Sequence, residues 1–573
     1  MADVDALVAA AAAGGDDVAV VVTDGVIGVA TAAGSAAVEG SDPAALVARA
    51  EAGRGPRWVW WDQVTPAALT EAGVRVARAW DVAAVHRLLA GGWKADPARV
   101  WAGLHDRPTA SIPALGQLGL LDDHGDEGDD PEDPARPDGH LRPEWSAGGW
   151  SRTPARVARW AATALVAARL QRAGLARLTG HPALATARSE SAAELLAVEL
   201  AADGLPVDVA TAEAIIADAI GPRPSHASEE EAGRKRRDAI VLAHAPLGGD
   251  RDLRNPAHVR SLLRRVGVEV DDTRAWRLEP LREVHPFVDA LLTWRKAERI
   301  ETTYGYRWLD THVGADGRLR GSWTGADGAA GRMTAGGGLH NMPAELRPAV
   351  QAAPGRVLVR ADLGQIEPRV LAAVSGDTVL AAAAEVDDLY APVAARLGVP
   401  RDVAKVAVLA AMYGQRSGAA GRAFRAMEVA YPVAMAHLDA ADGAAREGRD
   451  LRTYGGRLVR MGRPDDTLDH EAARRAAGAR GRYGRNAIIQ GAAAECFKAW
   501  AATVRARLAG TEAGIVLCLH DELLVDAPES DGAAVAELVA MCLQEATGRW
   551  APPTTPVRFV ADVAVLRRWS DAH

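Results

Sequence analysis

The chain has little cysteine, little lysine and no long apolar run. Its three cysteines, Cys496, Cys518 and Cys542, are odd in number and lack metal-ligand spacing. That excludes a disulfide framework and fits a reducing cytoplasm. No stretch of 18 or more residues is apolar and free of charge, so no membrane span is expected. The opening Met1-Ala-Asp-Val-Asp5 is acidic, unlike the basic start of a signal peptide. Only 5 of the 66 basic residues are lysine: Lys94, Lys235, Lys296, Lys405 and Lys498. Where arginine serves almost everywhere, a remaining lysine marks a place where a compact ammonium is wanted. Tyrosine is also scarce, and all seven residues lie between Tyr304 and Tyr483.

At 573 residues the chain is long enough for about three to five domains. An apolar fraction of 49% is ordinary for a globular protein. The net charge of −9 argues against a nucleic-acid binder, but its distribution matters more than its total. Asp122, Asp123, Asp126, Glu127, Asp129, Asp130, Glu132 and Asp133 supply eight of the negative charges. Such a run reads as a solvated linker, and the rest of the chain is close to neutral.

Val18 to Val22, Asp24-Gly25 and Val26 to Ala30 read as a hairpin. Trp58 to Trp61 and Val74 to Trp80 read as further strands around a helical stretch, giving a small α/β unit. Residues 122–143 form a linker or exposed loop. From Ser151 to about Arg299 apolar residues recur at three- and four-residue spacing, which predicts helices. Within this stretch Gly233-Arg-Lys-Arg-Arg237 is a basic tip, suited either to phosphates or to a solvated helix end.

Three segments carry chemistry. In Val357-Leu-Val-Arg-Ala-Asp362 an apolar strand ends in a carboxylate, with Glu367 at the entry to a helix. A strand fixes the backbone of a metal ligand, although a lone Asp there is more often a helix N-cap. In Gly514 to Pro528, His520-Asp521-Glu522 interrupts two apolar runs and is presented by a hairpin. In Arg401 to Gly414, Arg401, Lys405, Leu409 and Tyr413 recur every four residues and form one helical stripe. Two cations on one helix face want an anion opposite, and a triphosphate is such an anion. Two strand-borne carboxylates with a cationic helix between them in sequence are the parts of a two-metal phosphoryl-transfer site.

These segments resemble motifs A, B and C of the DNA polymerase I family (family A). Asp362-Leu-Gly-Gln-Ile-Glu-Pro-Arg369 is similar to D-Y-S-Q-I-E-L-R. Arg401, Lys405 and Tyr413-Gly414 match R-x3-K followed by Y-G, and His520-Asp521-Glu522 matches H-D-E. Gly331-Arg-Met-Thr334 with Leu339-His-Asn-Met-Pro343 resembles T-G-R-L-S followed by L-Q-N-I-P. Arg482, Asn486 and Gln490-Gly491 resemble R-x3-N-x3-Q-G. The similarity is clear over residues 190–573 and weak over the first 150.

The resemblance implies an N-terminal RNase H-like α/β domain and an α+β right-hand polymerase with an antiparallel palm sheet and helical fingers and thumb. The implied segments are a degenerate exonuclease-like domain at 1–120, an acidic linker and connecting helices at 121–184, and a thumb at 185–300. Palm follows at 301–380, fingers at 381–485 and palm again at 486–573. The implied activity is template-directed addition of dNTPs to a primer 3′ end, in repair or gap filling. It would use two Mg²⁺ ions, with Mn²⁺ as a substitute. Asp362, Asp521 and Lys405 would be catalytic, with Asp362, Asp521 and the Leu363 carbonyl holding metal. Arg401, Lys405, Leu409, Tyr413, Glu367, Gln365 and His520 would bind the nucleotide. Arg332, Asn341, Arg482, Asn486, Gln490 and Glu522 would bind DNA. Partners would be primer–template DNA and dNTPs, without a membrane, for a monomer in the cytoplasm at the nucleoid.

Leu409 replaces the usual Phe or Tyr, Leu363-Gly364 replaces Tyr-Ser, and His340 replaces Gln. No D-x-E stands on the first strand, so proofreading by a 3′–5′ exonuclease is the lesser alternative. A non-catalytic DNA-binding remnant is another, and the four intact charged motif residues speak against it. No 5′-nuclease segment is expected before the first domain.

Overall fold

Valine-rich stretches favour strands because β-branched side chains suit a pleated, half-buried surface. β1 (Asp17–Thr23), β2 (Val26–Thr31) and β3 (Gly34–Glu39) form an antiparallel meander. Gly25 takes the first turn at φ +74°, a backbone open to glycine at no steric cost. β4 (Arg57–Trp60) and β5 (Ala79–Asp81) add in parallel, giving the order β3-β2-β1-β4-β5. Parallel joins need crossovers, and the helices Pro43–Glu51 and Val64–Glu71 supply them. The strand expected over Val74 to Trp80 is mostly irregular. Only its end pairs, and the Asp81 side chain then stops the strand by accepting from the Ala84 amide to cap the next helix. This computed structural model describes the chain apart from residues 1, 15, 41, 54, 117–129, 246–250, 417 and 573.

α1 (Pro154–Ala176) starts with Thr153 as cap and Pro154 in its first turn, a residue pair suited to a helix start. It covers the sheet through a core that includes Trp80, Trp145 and Trp160. α2 (Ala183–Asp203) follows. Of the acidic run, Asp122, Asp123, Asp126, Glu127 and Asp129 lie outside the described residues. Asp130 and Glu132 pair with Arg159 and Arg156.

Two compact units emerge. The first is Met1–Asp203, Ser322–Ala335 and Gly355–Leu566; the second is Gly204–Gly321, Gly336–Pro354 and Arg567–His573. The helical unit therefore begins at Gly204 rather than residue 185, because α2 packs against β5 within the first unit. Its helices Val209–Ile220, Ala227–Leu242, Pro256–Arg265 and Pro286–Arg299 include a core of Val259, Leu262, Leu263, Phe287 and Leu291. The basic run 233–237 is no helix tip. It lies inside Ala227–Leu242, and Arg234 and Arg237 are turned onto Glu301.

The first unit also holds the hairpin of β6 (Trp323–Asp327) and β7 (Arg332–Ala335) and a second sheet. β8 (Arg356–Gly364) leads into α3 (Ile366–Ser375), α4 (Arg401–Tyr413) and the long α5 (His470–Leu508). β9 (Gly514–Leu519), β10 (Glu522–Pro528), α6 (Gly532–Trp550) and β11 (Val560–Leu566) complete it. The sheet order is β9-β10-β8-β11, antiparallel throughout. α6 begins against the Val357 side of β8, where a Cβ on Gly532 would meet Val357 Cγ2 at 2.8 Å. All three cysteines are free and buried. Among the described residues no helix is long and apolar enough to cross a membrane.

Candidate active site

Asp362 is not a helix cap. β8 runs past it to Gly364, and Gln365 at φ +56° precedes α3 without a side-chain cap. The β-register places Asp362 opposite Glu522 on one side and Asp562 on the other. His520-Asp521 is the two-residue loop of the β9–β10 hairpin, with His520 at φ +55°. A short loop of this kind needs the left-handed region. The Leu363 amide donates to the Asp521 carbonyl at 2.9 Å, so main chain ties the two acidic segments together.

Burial, and then the charge of Asp521, push the Asp362 carboxyl up to about 6. Burial also raises Asp521 and Glu367. Removal from water and a like charge both oppose ionisation, and a divalent cation offsets both. A cavity of about 270 Å³ is lined by Arg332, Gln365, Glu367, His520 and Asp521, with Phe497 of α5.

Glu367, in the first turn of α3, pairs with Arg332 at 2.8 Å. The Tyr413 hydroxyl donates to Glu367 Oε2 at 3.4 Å and also bonds Gln490. Four residues far apart in sequence thus meet. On α4, Arg401 and Lys405 are exposed, while Leu409 and Tyr413 are half-buried. The expectation that both cations await an external anion needs correction for Arg401. Its Nε and Nη2 donate to the Asp388 carboxylate at 2.6 and 3.1 Å, and Gln365 Nε2 donates to Asp388 at 3.1 Å. Lys405 has no polar partner among the described residues.

Of the expected DNA contacts, Glu522 is turned to Arg360 at 2.6 Å and is buried. Arg482 is exposed on α5, and Asn486 Oδ1 is buried without a partner among the described residues. Asn341 is exposed and belongs to the second unit. Sequence reasoning missed Arg360, Asp562, Asp388 and Phe497. The lysine bias pointed to a further residue: Lys498 is buried, pairs with Glu190 at 2.5 Å and donates to the Gly331 carbonyl at 2.7 Å. Lys235 and Lys296 are ordinary surface pairs.

Among the described residues no group of three or more His, Cys, Asp or Glu is arranged around a metal position. Two carboxylates and a backbone carbonyl still fit Mg²⁺, which is commonly held by one or two carboxylates plus substrate phosphates and water.

The fold is that of the right-hand polymerases. It is similar, at TM-score 0.69 and 21% identity over 99% of each chain, to the POL domain of Pol1 from M. smegmatis, solved in complex with DNA primer-template and dNTP. Residues 266–571, more than half of the chain, match DNA polymerase family A, and the chain belongs to that family. It is 32% identical to DNA polymerase I of Chloroflexus aurantiacus over 313 residues, 49% of this chain and 32% of the relative. It is 29% identical to the thermostable DNA polymerase I of Thermus thermophilus over 452 residues, 71% of this chain and 51% of the relative. A more distant relative is DNA polymerase theta of Caenorhabditis elegans, 27% identical over 47% of this chain and 17% of that one. The chain spans about half or less of the length of the curated relatives it matches.

Proposed function

We propose that this chain is a template-directed DNA polymerase that extends a primer 3′ end with dNTPs. The observation that carries the reading is the half-buried Asp362–Asp521 pair, locked by the Leu363–Asp521 main-chain bond, in a chain of this family. Asp362, Asp521 and the Leu363 carbonyl hold two divalent cations, Mg²⁺ or Mn²⁺. When bound, these supply charge neutralisation at the attacking 3′-oxygen and the transferred phosphate.

The chain's own residues do the rest. Lys405 binds the triphosphate as a free ammonium, and Arg401 reaches the same group only on leaving Asp388. His520 and Gln365 complete the nucleotide side. Glu367, fixed by Arg332 and Tyr413, closes the space beside the sugar's 2′ carbon, and Leu409 contacts the sugar. Arg332, Gln490, Asn486, Arg482 and Asn341 serve primer–template DNA, the first two through minor-groove acceptors common to all base pairs, while Glu522 stays buried on Arg360.

In this reading the β9-β10-β8-β11 sheet is the palm, the helices between α3 and α5 are the fingers and the second unit's helices are the thumb. The order β3-β2-β1-β4-β5, with β1, β4 and β5 parallel, supports an RNase H-like N-terminal domain. Its first strand lacks D-x-E, and Asp17 is paired with Arg172, so proofreading is not favoured. Repair or gap filling, as a monomer at the nucleoid, fits such an enzyme.

The test is primer extension with one dNTP at a time on four templates that differ in the first unpaired base. Extension by the complementary nucleotide alone is expected. Extension indifferent to the template base, or none with Mg²⁺ or Mn²⁺, would overturn the reading.

A further inference from the structure

The second sheet lines up three carboxylates. Asp362 lies opposite both Glu522 and Asp562 in the register, so all three side chains leave the same face of adjacent strands. Like charges placed directly across strands are destabilising, so the row needs a cation.

The chain supplies one. Arg360 stands two residues before Asp362 on the same face of β8, with a side chain only 14% exposed. Each guanidinium nitrogen addresses a different strand. Nη2 lies 2.7 Å from Asp362 Oδ2, Nε lies 2.6 Å from Glu522 Oε1, and Nη1 lies 3.7 Å from Asp562 Oδ2. Asp362 Oδ1 has no partner among the described residues. A planar fork with donors in fixed directions can divide itself in this way, which a point-like ammonium does less well.

We propose that Arg360 is a positioning residue that acts as the built-in counter-ion of this row. It holds one oxygen of Asp362, bonds Glu522, faces the more exposed Asp562 at longer range, and keeps a divalent cation out of the row. A cation is thereby directed to the free oxygen of Asp362 and to Asp521. The inference rests on the reading of Asp362 and Asp521 as cation ligands. It adds that selection of the cation position is performed by an arginine rather than by the carboxylates alone.

The experiment is Mn²⁺ binding to the full chain without DNA or nucleotide, followed by the electron paramagnetic resonance of free Mn²⁺. The wild type is compared with Asp521→Ala, Arg360→Met/Asp521→Ala and Arg360→Lys/Asp521→Ala. Wild type is expected to bind. Asp521→Ala is expected to lose that binding, because Arg360 still occupies the row. Arg360→Met/Asp521→Ala is expected to regain it, binding at least about tenfold tighter than Asp521→Ala alone, the scale seen when groups around metal ligands are changed. Arg360→Lys/Asp521→Ala is expected to fall between the two. Equal affinities, within about twofold, for Asp521→Ala and Arg360→Met/Asp521→Ala would overturn the proposal. If the methionine variant does not fold, Arg360→Lys/Asp521→Ala decides: binding tighter than Asp521→Ala by more than about twofold supports the proposal, and equal affinity overturns it. A wild type that binds no Mn²⁺ even with primer–template and dNTP present would instead sink the assignment of Asp362 and Asp521.

Discussion

The Leu363 amide donates to the Asp521 carbonyl at 2.9 Å. That bond joins a strand residue beside one acidic side chain to the turn residue that carries the other. The spacing of the two carboxylates is therefore set largely by main chain, which substitutions of nearby side chains should leave in place.

Lys405 should carry ground-state binding of the triphosphate. It is exposed and without a polar partner among the described residues, so its removal strands no buried group. A charged hydrogen bond contributes about 1.5–3 kcal/mol, so Lys405→Ala should raise the dNTP KM roughly tenfold to a hundredfold. Primer–template affinity, measured by fluorescence anisotropy, should stay near wild type. An unchanged dNTP KM would remove Lys405 from the site.

Glu367 and Leu409 should set sugar selection unevenly. Glu367 is held between Arg332 and Tyr413, so it cannot easily swing away from an added 2′-hydroxyl. Leu409 offers no hydroxyl to replace the hydrogen bonding lost with a missing 3′-OH. Glu367→Ala should raise ribonucleotide incorporation, and Leu409→Tyr should raise dideoxynucleotide incorporation. The measurement is kcat/KM for all three nucleotide types on one primer–template. A dNTP/rNTP ratio unchanged in Glu367→Ala would show that this helix start does not face the sugar.

The intact chain should not shorten a mismatched primer in Mg²⁺ or Mn²⁺. β1 presents valines where paired carboxylates would be needed, and its one acid, Asp17, is held by Arg172. Shortening of a labelled primer that persists in Asp521→Ala would contradict this.

Stability should carry a pH signature from α5. Glu495 is buried, accepts from the Thr453 hydroxyl and from the Gly455 amide, and is pushed up to about 7 by burial. The folded state then keeps a proton that the unfolded chain releases from about 4.5 upward. Its contribution is fully present below about 4.5 and is lost as pH rises through about 7. Glu495→Gln keeps an uncharged group there. Its Tm relative to wild type should rise steadily across that window, as read by calorimetry. A Tm difference that is flat with pH would show that Glu495 ionises normally.

Much of the site was legible because its parts are local. Asp362 follows an apolar strand, His520-Asp521 breaks two such strands, and Arg401 to Tyr413 repeats every four residues. The first hairpin and the sheet strand at Gly514–Leu519 were legible from valine and leucine runs in the same way. What was missed depends on distant pairing. Arg360 meets Glu522 162 residues away, and no pattern around either residue signals it. Asp388 occupies Arg401 from outside the α4 stripe, so that helix alone suggested two free cations. The start of the helical unit at Gly204 was also hidden, since α2 has the same alanine-rich periodicity as its neighbours and only its packing on β5 assigns it to the first unit.

The most direct test of the account is single-turnover nucleotide incorporation by Asp362→Ala and Asp521→Ala, measured by rapid quench on pre-bound primer–template. Each carboxylate is read as a ligand whose loss removes charge neutralisation in the transition state, so both rates should fall more than about 10³-fold, with DNA affinity near wild type. Incorporation within about tenfold of wild type, a barrier change of only about 1.4 kcal/mol, in either variant would contradict the two-cation assignment.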